Sequence, residues 1–438
     1  MVILKSNKSV YWILEKVLLR QYNLPKGANY MKTAAIICEY NPFHNGHKYH
    51  IERTKSEFGA THIVAVMSGN FTQRGDVAVF DKFTRAKFAL EHGVDLVLEL
   101  PVAASLGSAE DFSAGAVSIL NSLNCTDLLS FGSECGDIDL LKETAGAVVF
   151  ASQTDEFLGM MRRGTTYPAA LSKTIEKYYE DIIPKTLASP NNTLAIEYIK
   201  ALADTGSKIE PVTIKRYGAA HDSAQAVAPK NISNMFGSYF SLQEDRQEQE
   251  LSTASASLLR KMITDGENVS VFTPCAFPQE YACLSRLETA VLYCLRSMSA
   301  LEIGKAPNVL HGLENRIHKA ARAARNLSEL MLFIKTKRYT LARLRRIVLC
   351  CLLGITKTDA KQKPQYIRIL GMNEKGREIL SKANSNLPMD ASLAALMKKS
   401  DSCRKQGLLE LHCSDIYALA FKKARPCGLE LTTKPVIV

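Results

Sequence analysis

The chain has 438 residues, 46% of them hydrophobic, enough for a substantial core and, by length, roughly two or three domains. Lys and Arg outnumber Asp and Glu by 55 to 44, a formal charge of +11 that puts a polyanionic partner among the hypotheses. No apolar run is long enough to cross a bilayer, and eleven cysteines without a CxxC pair argue against a structural zinc site and for a reducing, cytoplasmic setting.

Residues 1–30 carry an amphipathic patch but neither a continuous apolar stretch nor a small-residue cleavage site, so they do not read as an export signal. Met31 opens a clean strand pattern. The expectation is an N-terminal extension ahead of a natural start at Met31, with an additional amphipathic helix as the rival reading.

From Thr33 short β-rich runs alternate with longer amphipathic segments, the order of βαβ units around a parallel sheet. The strands expected are 34–40, 62–67, 95–100, 127–132 and 211–217, with helices over 46–58, 79–92, 113–122 and 137–149. Ligands in such doubly wound α/β sheets bind beyond the carboxyl ends of the strands. Those ends carry NPFHNGH, SGNFTQRGD, Pro101, GSECGD and the stretch Gly218 to Asp222. After about residue 250 the alternation stops, and helices are expected over 254–264, 286–298, 313–324, 327–335, 340–354, 375–383 and 390–398. The domains expected are thus a catalytic α/β unit over 31–266 and a basic helical unit over 267–438.

The segment from Ile37 to His50 contains His-x-Gly-His, His44 to His47, where a strand ends and a helix begins. A helix start offers unpaired N–H groups and partial positive charge, and Gly46 lets a phosphate approach the backbone. Two imidazoles on that first turn make an anion site that tightens as charge builds on a transferring phosphorus, which gives His44 and His47 catalytic roles. In-line displacement at the α-phosphate of ATP needs mainly alignment and neutralisation, shared with Mg2+ on the triphosphate. GxxxxGK[ST] and GxGxxG are both missing, which disfavours a P-loop or dinucleotide site. Two readings stand beside this one: His44, His47 and His50 as packing residues, or as a metal site, for which no HExxH accompanies them.

ASASLLR, ending at Arg260, looks like a degenerate ISSTxxR element, the triphosphate-binding sequence of HxGH nucleotidyltransferases; a serine-capped surface helix predicts the same letters. Further along, 316–346 holds ten Lys or Arg against Glu329 alone. Arg316, Lys335, Lys337, Arg338, Arg343 and Arg346 are the candidate phosphate contacts for RNA, and Tyr339 the candidate base platform. The apolar stripe Leu341, Leu344, Ile347, Val348, Cys351 leaves Arg343 and Arg346 facing outward.

Taken in order, EYNPFHNGHKYHI, VMSGNFTQRGDVAVFDKFTRAKFAL, GVDLVLELP, FGSECGDI, SPNNTLAIEYIKAL, IKRYGAAHD, GLENRI, KTKRYTLARLRRIVL and YIRILGMNEKGREIL closely resemble the bacterial tRNA(Met) cytidine acetate ligases. The resemblance implies a nucleotidyltransferase fold with a mostly helical C-terminal part. It implies activation of acetate by ATP, then acetylation of N4 of the wobble cytidine in elongator tRNA(Met). By the family pattern ATP is held by Ile37, Glu39, Asn41, Pro42, Phe43, His44, Gly46, His47 and His50, by Gly132, Asn191 or Asn192, and by Arg216. Gln73, Arg74, Asp76 and Lys82 are candidates for the acetate or cytidine pocket, or for an ion-paired surface loop. The alternatives are an HxGH adenylyltransferase acting on a phosphorylated small molecule, and a catalytically inert tRNA-binding protein.

Overall fold

A computed structural model of the chain describes residues 31–216 and 252–438. The extension 1–30 and the strand-end stretch Gly218 to Asp222 lie outside them. The strands are β1 (Thr33–Cys38), β2 (His62–Ser68), the small hairpin β3 (Phe71–Thr72) and β4 (Asp76–Val77), β5 (Leu96–Leu100), β6 (Leu128–Ser133) and β7 (Glu210–Lys215). Crossing between them are α1 (Asn45–Phe58), α2 (Lys82–Glu91), α3 (Ala109–Leu123), α4 (Ile138–Ser152) and α5 (Pro190–Asp204). Each expected strand and crossover helix of this half is present, with ends shifted by a few residues.

The sheet runs β5-β2-β1-β6-β7, all parallel. Winding from β1 goes first toward β5 and then back past β1 to β7, so the switch point lies between β1 and β6. Side chains alternate across it: Val64 and Val66 pack with α3 and α5, while Ile63, Ala65 and Met67 pack toward α1 and α2. Because both faces are covered, these strands read as unbroken apolar runs. Each such buried Val, Ile or Met side chain contributes roughly 1.5–3 kcal/mol.

The C-terminal half forms its own helical core from α7 (Leu313–Ala323), α8 (Leu327–Ile334), α9 (Leu341–Leu352) and neighbours, and Phe71 and Val77 of the hairpin are built into it. One finding departs from the sequence reading, in which nothing after residue 250 was a strand. β8 (Ile367–Met372) returns to the sheet antiparallel to β5, and β9 (Met389–Asp390) and β10 (Val436–Ile437) pair with it.

This return is anchored by a fully buried charge cluster. Lys82 Nζ lies 2.5 Å from both Glu99 and Glu430, and Arg368 of β8 reaches the same two carboxylates. Glu410, on α10 (Asp401–Tyr417), completes the group. Two cations face three carboxylates, and balance requires one proton; burial and then the Glu99 charge push Glu410 up to about 8, making it the group that holds it. Lys82 is therefore a structural residue at 1% exposure, and its candidacy for a substrate pocket is corrected. Its partners are Glu99 on the next strand and Glu430 at the C-terminal end, far from it in sequence.

Candidate active site

A cavity of about 520 Å³ opens at the switch point, over the carboxyl ends of β1, β6 and β7. β1 and its following loop contribute Ile37, Glu39 and Asn41, the start of α1 contributes His44, Gly46, His47 and His50, and β6 and β7 contribute Gly132 and Arg216. Asn191 lines it from α5 and Arg260 from α6 (Ala256–Asp265). These sequence candidates converge on one space.

Local sequence builds the first helix start. His44 is the extended residue before α1, and its ring stacks on His47 with centroids 3.7 Å apart and planes 19° apart. A Cβ at position 46 would lie 3.0 Å from His44 Cε1, so glycine is what leaves room for that ring. The His44 backbone N–H donates to His47 Nδ1 at 3.3 Å, so in the neutral ring the proton of His47 sits on Nε2. Phe43 is fully buried and packs edge-on against Tyr40, behind the imidazoles and outside the cavity lining, where Pro42 also lies.

A second helix start meets the first. Asn45 donates to the carbonyls of Ser252 at 2.9 Å and Val271 at 3.0 Å, and Thr273 Oγ1 donates to Phe43 O. Arg260 donates to Asn41 O at 2.8 Å and to Ser257 Oγ at 3.1 Å. Ser255 caps α6 through Leu258 N–H, and Ser255 and Ser257 both line the cavity. The serine-capped start of α6 therefore borders the cavity. Two positively polarised helix ends, three arginines (Arg74, Arg216 and Arg260) and stacked imidazoles face the same volume, an arrangement suited to a triphosphate.

Asn192 is a correction. It is buried and absent from the lining; its Oδ1 accepts from Glu134 N–H at 2.8 Å and its Nδ2 donates to Thr186 O. Glu134 in turn accepts from the backbone N–H groups of Asn191 and Asn192, which clamps α5 to the GSEC loop. At Gly132 a Cβ would meet Arg216 Cγ at 3.3 Å, so this glycine lets Arg216 lie across the end of β6.

Burial, then the Arg216 charge, holds the His44 ring down to about 3 and His50 to about 4; burial and then His44 push His47 well below the usual imidazole range. The rings are therefore neutral, and a bound polyanion would raise them. In 15N-resolved NMR, His44 and His47 should stay neutral from pH 8 to pH 5; a midpoint near 6.5 for either ring would overturn this reading.

Arg74 and Gln73 also line the cavity. Gln73 links two regions: its N–H donates to Glu39 at 2.7 Å, and its carbonyl accepts from Arg346 of α9 at 2.8 Å. Gly75, at φ 74°, lies so close to Arg345 that a Cβ would reach its Cβ at 2.6 Å. The hairpin carrying Arg74 and Asp76 is thus held between the cavity and the basic helix.

Of the basic candidates, Arg316, Lys335, Lys337 and Arg338 are exposed. Arg343 and Arg346 are half-buried and bound to the carbonyls of Asn308 and Gln73, so neither simply faces outward. Tyr339 is 7% exposed in the helical core, with the Arg343 guanidinium 5.1 Å over its ring, so it offers no free face to a base.

A family model described as HIGH Nucleotidyl Transferase matches residues 31–429. The tRNA(Met) cytidine acetate ligase of Acetivibrio thermocellus is 36% identical, with 93% of this chain and 100% of that protein covered. The chain belongs to the tRNA(Met) cytidine acetate ligase family. A second member, from Caldicellulosiruptor saccharolyticus, is 38% identical over 93% of this chain and 99% of its own length. Among solved structures, apo Thermotoga maritima TmcAL superposes with a TM-score of 0.79 at 29% identity, covering 93% of this chain and all of that one. The same protein bound with alpha-thio ATP gives 0.78 at 28% identity. The family's nucleotidyltransferase fold is the one described above. No helix of the described residues is long and apolar enough to span a membrane.

Proposed function

We propose that this chain is an ATP-dependent tRNA(Met) cytidine acetate ligase acting in the cytoplasm, a ligase that binds ATP in the switch-point cavity. The observation that carries the reading is the stacked His44–His47 pair at the first turn of α1, facing a second helix start and Arg260 across one cavity. The triphosphate lies across both helix ends, with His44 and His47 at the α-phosphate and Arg216 and Arg260 neutralising the charge that leaves with pyrophosphate. An acetate oxygen bonds to the α-phosphorus as the bond to the β-phosphate oxygen breaks. The wobble cytidine N4 then bonds to the acetyl carbon, AMP departs and N4 gives up a proton. Cytidine N4 is a weak nucleophile, which is why the acyl group must carry a good leaving group.

Among the described residues no group of three or more His, Cys, Asp or Glu is placed to hold a metal. Mg2+ would enter as an ion carried by the phosphates of ATP, where it would supply charge neutralisation.

Residues 267–438 serve as the basic tRNA-binding unit, with Arg316, Lys335, Lys337 and Arg338 contacting phosphates and α9 setting the distance to the cavity. Changing Lys337 and Arg338 together to glutamate should weaken tRNA binding at least tenfold in a filter assay and flatten its salt dependence, with tRNA-free ATP–pyrophosphate exchange unaffected. Unaltered tRNA affinity would move the binding face elsewhere.

The test of the whole function is incubation with ATP, labelled acetate and unmodified tRNA, followed by digestion to nucleosides. Label in N4-acetylcytidine supports the reading. Label absent from RNA, with pyrophosphate released on addition of a phosphorylated metabolite, refutes it.

A further inference from the structure

His50, one turn beyond His47, lines the cavity but is tied differently from the other two imidazoles. Its Nε2 lies 2.9 Å from Ser130 Oγ, which lies 2.7 Å from Thr54 Oγ1, and Thr54 Oγ1 donates to His50 O at 2.8 Å. Ser130 and Thr54 are both fully buried. Donor counting fixes the direction of every bond. Thr54 has one hydroxyl proton, and the carbonyl takes it. Ser130 must then donate to Thr54, which leaves the Ser130 oxygen to accept from His50 Nε2–H. The neutral ring therefore keeps its lone pair on Nδ1, which has no protein hydrogen bond among the described residues.

We propose that Ser130 and Thr54 are positioning residues that lock His50 in its Nε2–H form, so that Nδ1 presents an acceptor to the cavity and receives a hydrogen bond from a hydroxyl or amino group of the substrate. His47, whose Nδ1 is occupied by the His44 backbone N–H, is set the opposite way and presents a donor. One helix face thus carries a donor for phosphate and, a turn later, an acceptor that would repel phosphate oxygens. This rests on the ATP-dependent ligase reading, which supplies two groups of the required chemistry: a ribose hydroxyl of ATP and the cytidine amine.

The isosteric Thr54→Val change removes the acceptor for the Ser130 proton and frees Ser130 to donate to His50 Nε2. Imidazole 15N NMR should show protonated Nε2 and bare Nδ1 in the unaltered protein, and a mixed or reversed pattern in Thr54→Val, with thermal unfolding reporting that the variant is folded. Two kinetic arms separate the sources. If His50→Ala raises KM for ATP about tenfold in acetate-dependent exchange and leaves transfer from preformed acetyl-adenylate intact, the partner is the ribose. If exchange is intact and transfer to tRNA falls about tenfold or more, it is the amine. A protonated Nδ1 in the unaltered protein, or His50→Ala matching the unaltered protein in both half-reactions, overturns the proposal. Absence of acetate-dependent exchange in the unaltered protein would instead sink the functional reading, while leaving the NMR arm readable.

Discussion

Replacing His47 with alanine is expected to cut acetate-dependent pyrophosphate release by about 10²–10³-fold, the usual cost of removing one preorganised donor from a developing anion. The loss should appear in kcat, because His47 Nε2–H strengthens its bond as charge accumulates on the α-phosphorus. Affinity for tRNA should be unchanged within a factor of about two, since the exposed basic residues lie in the C-terminal half, Arg316 on α7 and Lys335, Lys337 and Arg338 in the turn between α8 and α9. His47→Asn, which keeps a neutral donor, should recover part of the rate. A variant without His47 that retained full activity would remove the paired imidazoles from the mechanism.

The second large effect is structural. Arg368→Met should destabilise the fold by about 3–5 kcal/mol at pH 8, the range seen when one partner of a buried ion pair is removed. Glu99 and Glu430 would be left with Lys82 alone, in surroundings that already push Glu410 up to about 8. The sign with pH follows. A carboxylate deprived of its cation binds a proton more readily folded than unfolded, so the deficit should shrink as pH falls toward 5.5. Urea unfolding at the two pH values measures this; equal deficits would mean that cluster charge is not what Arg368 balances.

The parallel half of the fold was legible because strands buried on both faces are written as apolar runs, and their ends carried NPFHNGH and GSECGD at the switch point. β8 was not, since Arg368 interrupts its apolar run and the residue that makes burial of this charge tolerable, Glu430, lies on another element. Lys82 misled for the same reason. Tyr339 sits in a run of cations that reads as a wet surface, yet its ring packs inward and the arginines cover it. Ser130 gave no signal at all: a serine inside a strand acquires meaning only when Thr54 and His50 are brought against it by α1 packing on β6.

For ASASLLR the serine cap is present and its place at the cavity is what the proposed triphosphate role rests on. Ser255 caps α6, and the capped end faces the cavity because Asn45 and Arg260 tie it to the first helix start.

The most direct test of the nucleotide chemistry is exchange of labelled pyrophosphate into ATP without tRNA. Exchange should require acetate, and should be lost in His44→Ala and His47→Ala alike. Exchange that proceeds equally well without acetate, or survives loss of both rings, would contradict attack by a carboxylate on an α-phosphate held at this helix start.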